Sequence, residues 1–152
     1  MIRLHCGCGG DLKKGYINID AQLPCDLQHD FRNPLPYLDN SVDEIWANGV
    51  IQHFSKVEWK VIKKDWVRVL KSDGVLHLGC WDFPWVLCMF LLHPDQPYAL
   101  QRVYGGQDGE FDYFKNGFTY ERLCAELEEE GVTDFERLPC GEEFIDMICK
   151  KI

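Results

Sequence analysis

An α/β domain is the fold class this chain predicts, and three features predict it. Short apolar runs alternate with amphipathic stretches along the sequence. A strand-like run, Ile2 to Cys6, breaks directly into the glycine-rich "GCGG". A well-signalled helix leads into another apolar run, Val75 to Cys80. The chain's 152 residues suffice for one domain, 1–152, with a real core and fall short of two. A 46% hydrophobic and 13% aromatic content excludes a disordered chain.

Taken in order, Ile2 to Cys6 reads as a first strand and Tyr16 to Asp20 as a second. Asp26 to Phe31 reads as a third, and "NPLPYLDNS" after it is a loop marked by its prolines and "DNS". Val42 to Ala47, "VDEIWA", is a fourth strand. Ser55 and Glu58 form a capping box, Ser-x-x-Glu, at the start of a helix. Val57, Val61, Ile62, Trp66, Val69 and Leu70 recur behind it at three- and four-residue steps and predict its buried face. Gly74 ends the turn before Val75 to Cys80, a fifth strand. Thr119 is the expected N-cap of "YERLCAELEEEG", with Leu123 and Leu127 inward, "ELEEE" on a solvated face and Gly131 as the stop. Phe135 to Leu138 and Phe144 to Lys150 form two closing strands.

Residues 83–118 differ in character and predict an insertion or lid. The segment 81–120 holds eleven of the chain's twenty aromatic residues, and "YGGQDGEF" within it is rich in glycine. Such insertions in α/β domains sit over the strand ends and cover the site. The same rings would equally serve as core filling.

The opening stretch, "LHCGCGGDLKKGYINID", admits several chemistries. A structural zinc site needs four ligands, usually in paired Cys-x2–4-Cys or His spacings. Here a single Cys-x-Cys has no second pair among the remaining cysteines, and no metal is expected. A redox pair is disfavoured because Cys-x-x-Cys is absent. Glycines after a strand, by contrast, let backbone approach a ligand, and Asp20 ends the next strand where an acid accepts from ribose hydroxyls. That pattern fits a dinucleotide or another adenosine cofactor. A pyrophosphate is held by the N-terminus of the helix after the glycines. Only Asp11 to Gly15 lie between Gly10 and the next strand, too few for such a helix. S-adenosylmethionine is favoured over NAD or FAD.

A net charge of −9 argues against nucleic acid, which is bound by clustered Lys and Arg. The longest apolar run, Pro84 to Leu92, is nine residues against the ~20 of a membrane span, so no membrane association is expected. Eight scattered cysteines and no recognisable export signal point to a cytoplasmic protein without a disulfide framework.

Together "LHCGCGG", "GYINID", "HDFRNPLPYLDNSVDEIWANGVIQHF" and "WVRVLKSDGVLHLGC" resemble the class I S-adenosylmethionine-dependent methyltransferases, from about Leu4 to Lys150. The likeness is nearest to a small Methyltransferase-11-like branch. It implies a three-layer Rossmann-like fold with a C-terminal antiparallel strand pair. The N-terminal half is reduced, because the helices after strands 1 and 2 are missing. It implies a cofactor loop of His5, Cys6, Gly7, Cys8 and Gly9, a ribose acid at Asp20, and an adenine-facing acid at Asp30. Asn48 and Gly49 would lie beside the sulfonium. Three positions depart from the family pattern: His5 replaces an acid, "KSDG" replaces "KPGG", and Gln52 replaces a glutamate.

Methyl transfer to a small-molecule acceptor is the function this implies. A non-catalytic S-adenosylmethionine-binding module and an NAD-dependent oxidoreductase remain as alternatives. His53 and Asp82 are the candidate bases, against roles as a helix-entry residue and an N-cap. Trp81, Trp85 and Tyr104 are candidates for an acceptor pocket. His77 reads as a core histidine and His93 as a loop residue. A parallel crossover usually takes a dozen or more residues, so the third strand should be irregular or a short edge. One sheet face is left without helices, which predicts cover by a homodimer partner or by the aromatic insertion.

Overall fold

The computed structural model describes residues 1–152. Its strands are β1 (Arg3–Cys6), β2 (Ile17–Asp20), β3 (Leu27–Gln28), β4 (Val42–Asn48), β5 (Leu70–Trp81), β6 (Val132–Arg137) and β7 (Phe144–Lys151). They form one sheet in the order β3-β2-β1-β4-β5-β7-β6. Neighbours from β3 to β5 are parallel, and β7 runs antiparallel to both β5 and β6. The chain order reverses between β1 and β4, the switch point beside which open α/β sheets bind ligands.

Strand alternation divides the sheet into two unlike faces. Leu4, Ile45, Leu76 and Cys149 lie in one register row on the first face and are buried. Helices α1 (Lys56–Val69) and α4 (Tyr120–Glu128) supply Trp59, Ile62, Trp66, Leu123 and Leu127 to the same core. Both expected caps form: Ser55 accepts from Glu58 N while Glu58 accepts from Ser55 N, and the Thr119 hydroxyl accepts from Arg122 N. Gly131 closes the last helix at φ +82°.

The buried stripe of α1 differs from the predicted one. Val57 and Val61 are exposed, and Trp59, Lys63 and Val67 are buried in their place. Turning the Trp59 indole inward beside Trp66 removes more apolar area from water than turning in Val57 or Val61. The rotation is stabilised by polar contacts that periodicity does not register. Trp59 Nε1 donates to Glu126 at 2.9 Å, and Lys63 Nζ donates to the Glu126 carbonyl at 2.5 Å with Glu130 3.3 Å away. Glu126 and Glu130 therefore tie α4 to α1, and "ELEEE" is not a wholly solvated face. The fifth strand also begins earlier than predicted. Leu70 pairs with Val42 and Val75 with Glu44, so Lys71 to Gly74 loop out as a bulge within β5.

The second face carries the row Asn18, His5, Trp46, His77 and Ile148. No helix follows β1 or β2, and β3 is the short edge that the brief connection requires. The segment from Asp11 to Tyr16 crosses this face as a strap. Lys13 Nζ lies 3.6 Å from the Trp46 ring centroid, and the Tyr16 hydroxyl donates to Glu44 at 2.6 Å. His5 and His77 are 5% exposed beneath it; His77 is hydrogen-bonded to Asp146 at 2.5 Å. Beyond β5 the insertion adds α2 (Phe83–Leu92) and α3 (Ala99–Tyr104), where Arg102 sits over Trp81. The strap lies over the middle of this face, and Arg102 reaches it only at Trp81, at the end of β5.

Trp66 packs edge-on against both Trp59 and Phe31, joining α1 to the loop after β3. Trp66→Ala should lower unfolding stability by about 3–5 kcal/mol, read as a shifted denaturant midpoint at unchanged slope.

Candidate functional site

At the C-terminal ends of β1, β2 and β4 lies a cavity of about 360 Å³. Gly7, Gly9, Asp20, Asp30, Gly49 and His53, all predicted site residues, line it. Phe31, Arg32, Val50, Glu58, Lys115 and the segment Asp108 to Asp112 complete the wall.

The two glycines of the first loop serve different ends. Gly7 has φ +71°, and a Cβ there would stand 2.4 Å from Val50 Cγ2, so the collision is with the protein's own wall. Gly9 has φ +53° with nothing within 4 Å of a Cβ, leaving open space beside the cavity. Three of the loop's N–H groups are already committed. Gly7 N and Cys8 N both donate to Ile19 O, at 2.8 and 3.2 Å. Gly9 N donates to Asp20 Oδ2 at 2.8 Å, and Gln22 N donates to Asp20 Oδ1 at 2.9 Å. Asp20 thus fixes the turn and borders the cavity at once.

The opposite wall is a clasp. Arg32 binds Asp30 at 2.6 Å and reaches Glu110 at 3.5 Å, with its guanidinium 5.4 Å from the Phe111 ring centroid. Arg32 holds the Asp30 carboxyl below the usual carboxylate range. The segment after Tyr104 is anchored next to the cavity: Phe114 N donates to Tyr104 O, and Lys115 N to Gln52 O, both at 2.8 Å. Phe114 packs edge-on against His53 at 4.9 Å. Burial pulls the His53 pKa down, against the nearby Asp112, so the ring is neutral at neutral pH. Its Nδ1 is buried without a hydrogen-bond partner. Six carboxylates (Asp20, Asp30, Glu58, Asp108, Glu110 and Asp112) face two fixed cations, Arg32 and Lys115, so the cavity favours a cationic ligand.

Other predicted site residues lie elsewhere. His5 points to the strap side and hydrogen-bonds Asn18 Oδ1 at 3.1 Å. Cys6 is in the core, and Cys8 faces the Pro24 carbonyl. Asn48 does not line the cavity; its carboxamide lies against Gly79 on β5. Asp82 caps α2 by accepting from Trp85 N and stands 3.7 Å from Arg137. Trp81 and Trp85 gather around Arg102 outside the cavity wall, and Tyr104 is half exposed. The phenylalanines at the cavity are instead Phe31, Phe54 and Phe111, with Phe114 behind His53. The "GGQDGEFDYF" run signalled the last two, but aromatic content alone could not separate them from Trp81 and Trp85. No three His, Cys, Asp or Glu side chains converge as a metal site. Burial pushes the Cys80 and Cys149 thiols up to about 12, as expected of packing residues.

Residues 8–78 match the family described as "Methyltransferase domain". No curated protein matches the chain by sequence. Among solved structures, a SAM-dependent methyltransferase from Methanosarcina mazei is 19% identical, with TM-score 0.67 over 99% of this chain and 92% of that one. A protein from Pyrococcus horikoshii OT3 is 16% identical, with TM-score 0.71 over 99% of this chain and 81% of that one. A protein described as a possible exported protein from Bordetella parapertussis is 16% identical with TM-score 0.66; 99% of this chain spans 61% of its length.

Gly7→Ala should lower the melting temperature markedly, because strain at positive φ adds to the overlap with Val50. Gly9→Ala should cost only the strain, roughly 1–2 kcal/mol. A pair of thermal melts compares them.

Proposed function

We propose that the chain is a class I S-adenosylmethionine-dependent methyltransferase, a reading supported by the match of residues 8–78 to a methyltransferase domain and by the fold shared with solved structures, and that it methylates a small-molecule acceptor held beside the Asp108–Asp112 segment. The observation that carries this reading is the charge of the cavity. Six carboxylates against two cations suit a cofactor with a sulfonium and an ammonium on one carboxylate, and they oppose a doubly anionic pyrophosphate. The first loop points the same way, because Gly7, Cys8 and Gly9 have no free N–H to offer a phosphate.

Asp20 would accept from the ribose hydroxyls while keeping its bond to Gly9 N. Asp30, fixed by Arg32, would face the adenine. Gly9 and Gly49 would let backbone approach the methionine portion. The bound cofactor supplies an electrophilic methyl group, so the protein's work is to align an acceptor and to take a proton where the acceptor carries one. His53 is the group placed for that: it lines the cavity, and burial keeps its ring neutral. At about 360 Å³ the volume lies at the low end of the roughly 300–1,000 Å³ of small-ligand sites, which favours a small acceptor.

S-adenosylhomocysteine should raise the melting temperature and NAD should not; the reverse order would overturn the reading. Asp20→Ala should weaken S-adenosylhomocysteine about tenfold or more by calorimetry, and unchanged affinity would move the ribose acid elsewhere. With an acceptor found by metabolite screening, the rate should hold between about pH 7 and 8. It should fall as His53 gains its proton below 6.5, and His53→Gln should abolish that fall along with most of kcat.

A further inference from the structure

Outside the cavity, the feature left unexplained is the helical hairpin from Phe83 to Tyr104. Its twenty-two residues include only Asp95 and Arg102 as charges, in a chain that is 27% charged. All ten residues of α2 are apolar, and only Val86 among them is buried. Pro84, Leu87, Cys88 and Leu91 follow one another at three- and four-residue steps along its outer face. Leu92 and, on α3, Leu100 extend the patch. Leu91 is 77% exposed, Leu92 70% and Leu100 57%. A soluble surface rarely presents leucines so densely unless something covers them.

We propose that this hairpin is a lipid-docking element that seats the protein on a zwitterionic membrane surface. Its ten-residue helix is too short to span, so it would lie in the interface with its leucines below the headgroups. Three considerations select lipid over a second copy of the chain. First, α2 is about 15 Å long and two short helices present a few hundred Å² at most, well under the ~800 Å² per partner of a stable dimer. Lipid needs no such area and no complementary shape. Second, the hairpin carries one charge of each sign, so entering an interface strips little hydration. The net charge of −9 repels an anionic surface and selects a zwitterionic one. Third, Trp81, Trp85 and Tyr98 surround Arg102 at 5.2, 5.3 and 4.6 Å at the hairpin's base. Such rings, apolar with a polar edge, populate membrane interfaces. The hairpin also continues directly into the cavity wall, through the Phe114–Tyr104 bond and the Phe114–His53 contact. No helix is long and apolar enough to cross a membrane, and docking on one needs no such helix.

Flotation of the full chain with phosphatidylcholine vesicles tests this. Most of the protein should float, and replacing a third of the lipid (roughly) with phosphatidylserine should reduce the fraction. Leu87→Glu with Leu91→Glu should cut partitioning at least tenfold while the S-adenosylhomocysteine melting shift persists. Leu92→Ser should act in the same direction and covers the case in which two glutamates unfold the hairpin. Failure of the wild-type chain to float would overturn the proposal, as would equal flotation of both variants. A lipid-free wild-type dimer that the double variant converts to monomer would assign the patch to a second copy. Absence of any S-adenosylhomocysteine shift, with flotation intact, would instead count against the cofactor reading alone.

Discussion

The turn after β1 is tied to β2 by three hydrogen bonds, from Gly7 N, Cys8 N and Gly9 N to Ile19 O and Asp20 Oδ2. In a helix-initiating loop those N–H groups would point outward, free for an anion. Here they point into the fold, and much of the remaining architecture follows. The chain reaches β2 without a helix, so Asp11 to Tyr16 lies flat across the second sheet face. That face is accordingly built for a thin cover, with Lys13 on the Trp46 ring and buried His5 and His77 satisfied by Asn18 and Asp146. A helix would have demanded an apolar surface there. The same bonds hold Asp20 at the cavity rim, so a structural contact and the candidate ribose site share one carboxylate.

The strands, both capped helices and the missing helices were legible because each rests on local signals. Glycines, a capping box and alternating apolar residues act within a few positions of themselves. What sequence missed depends on partners far along the chain. The stripe of α1 rotates because Trp59 and Lys63 find Glu126 sixty-odd residues away. The extension of β5 back to Leu70 depends on pairing with Val42 across a bulge. In the insertion, composition showed that rings would cluster, yet Arg102 draws Trp81 and Trp85 to one place while Arg32 draws Phe111 to another. Of the candidate site, the glycines, two aspartates and His53 were legible; the acidic segment opposite them became part of a cavity only when Gln52 anchored it.

The clasp over the cavity is weak by construction. Arg32 is partly exposed and its bond to Glu110 is long, the kind of pair worth at most about 1 kcal/mol. A pair of that size adds little to the backbone bonds of Phe114, Lys115 and Asn116 in holding the segment over the cavity. The stronger contact of Arg32, with Asp30, lies on the fixed side.

Gln52 shows how a departure from the family pattern fits this construction. Its Nε2 donates to the Gly49 carbonyl at 2.8 Å, and it is 5% exposed. An ionised glutamate at this position has no proton to donate to the Gly49 carbonyl and would leave a charge buried. The amide instead fixes the Gly49 turn, which Gly49 N also secures through Gly79 O. Its own backbone carbonyl meanwhile receives Lys115 N and Asn116 N from the covering segment. One neutral residue thus holds the strand end and the cover in register, its side chain on the Gly49 carbonyl and its own carbonyl on the Lys115 and Asn116 amides.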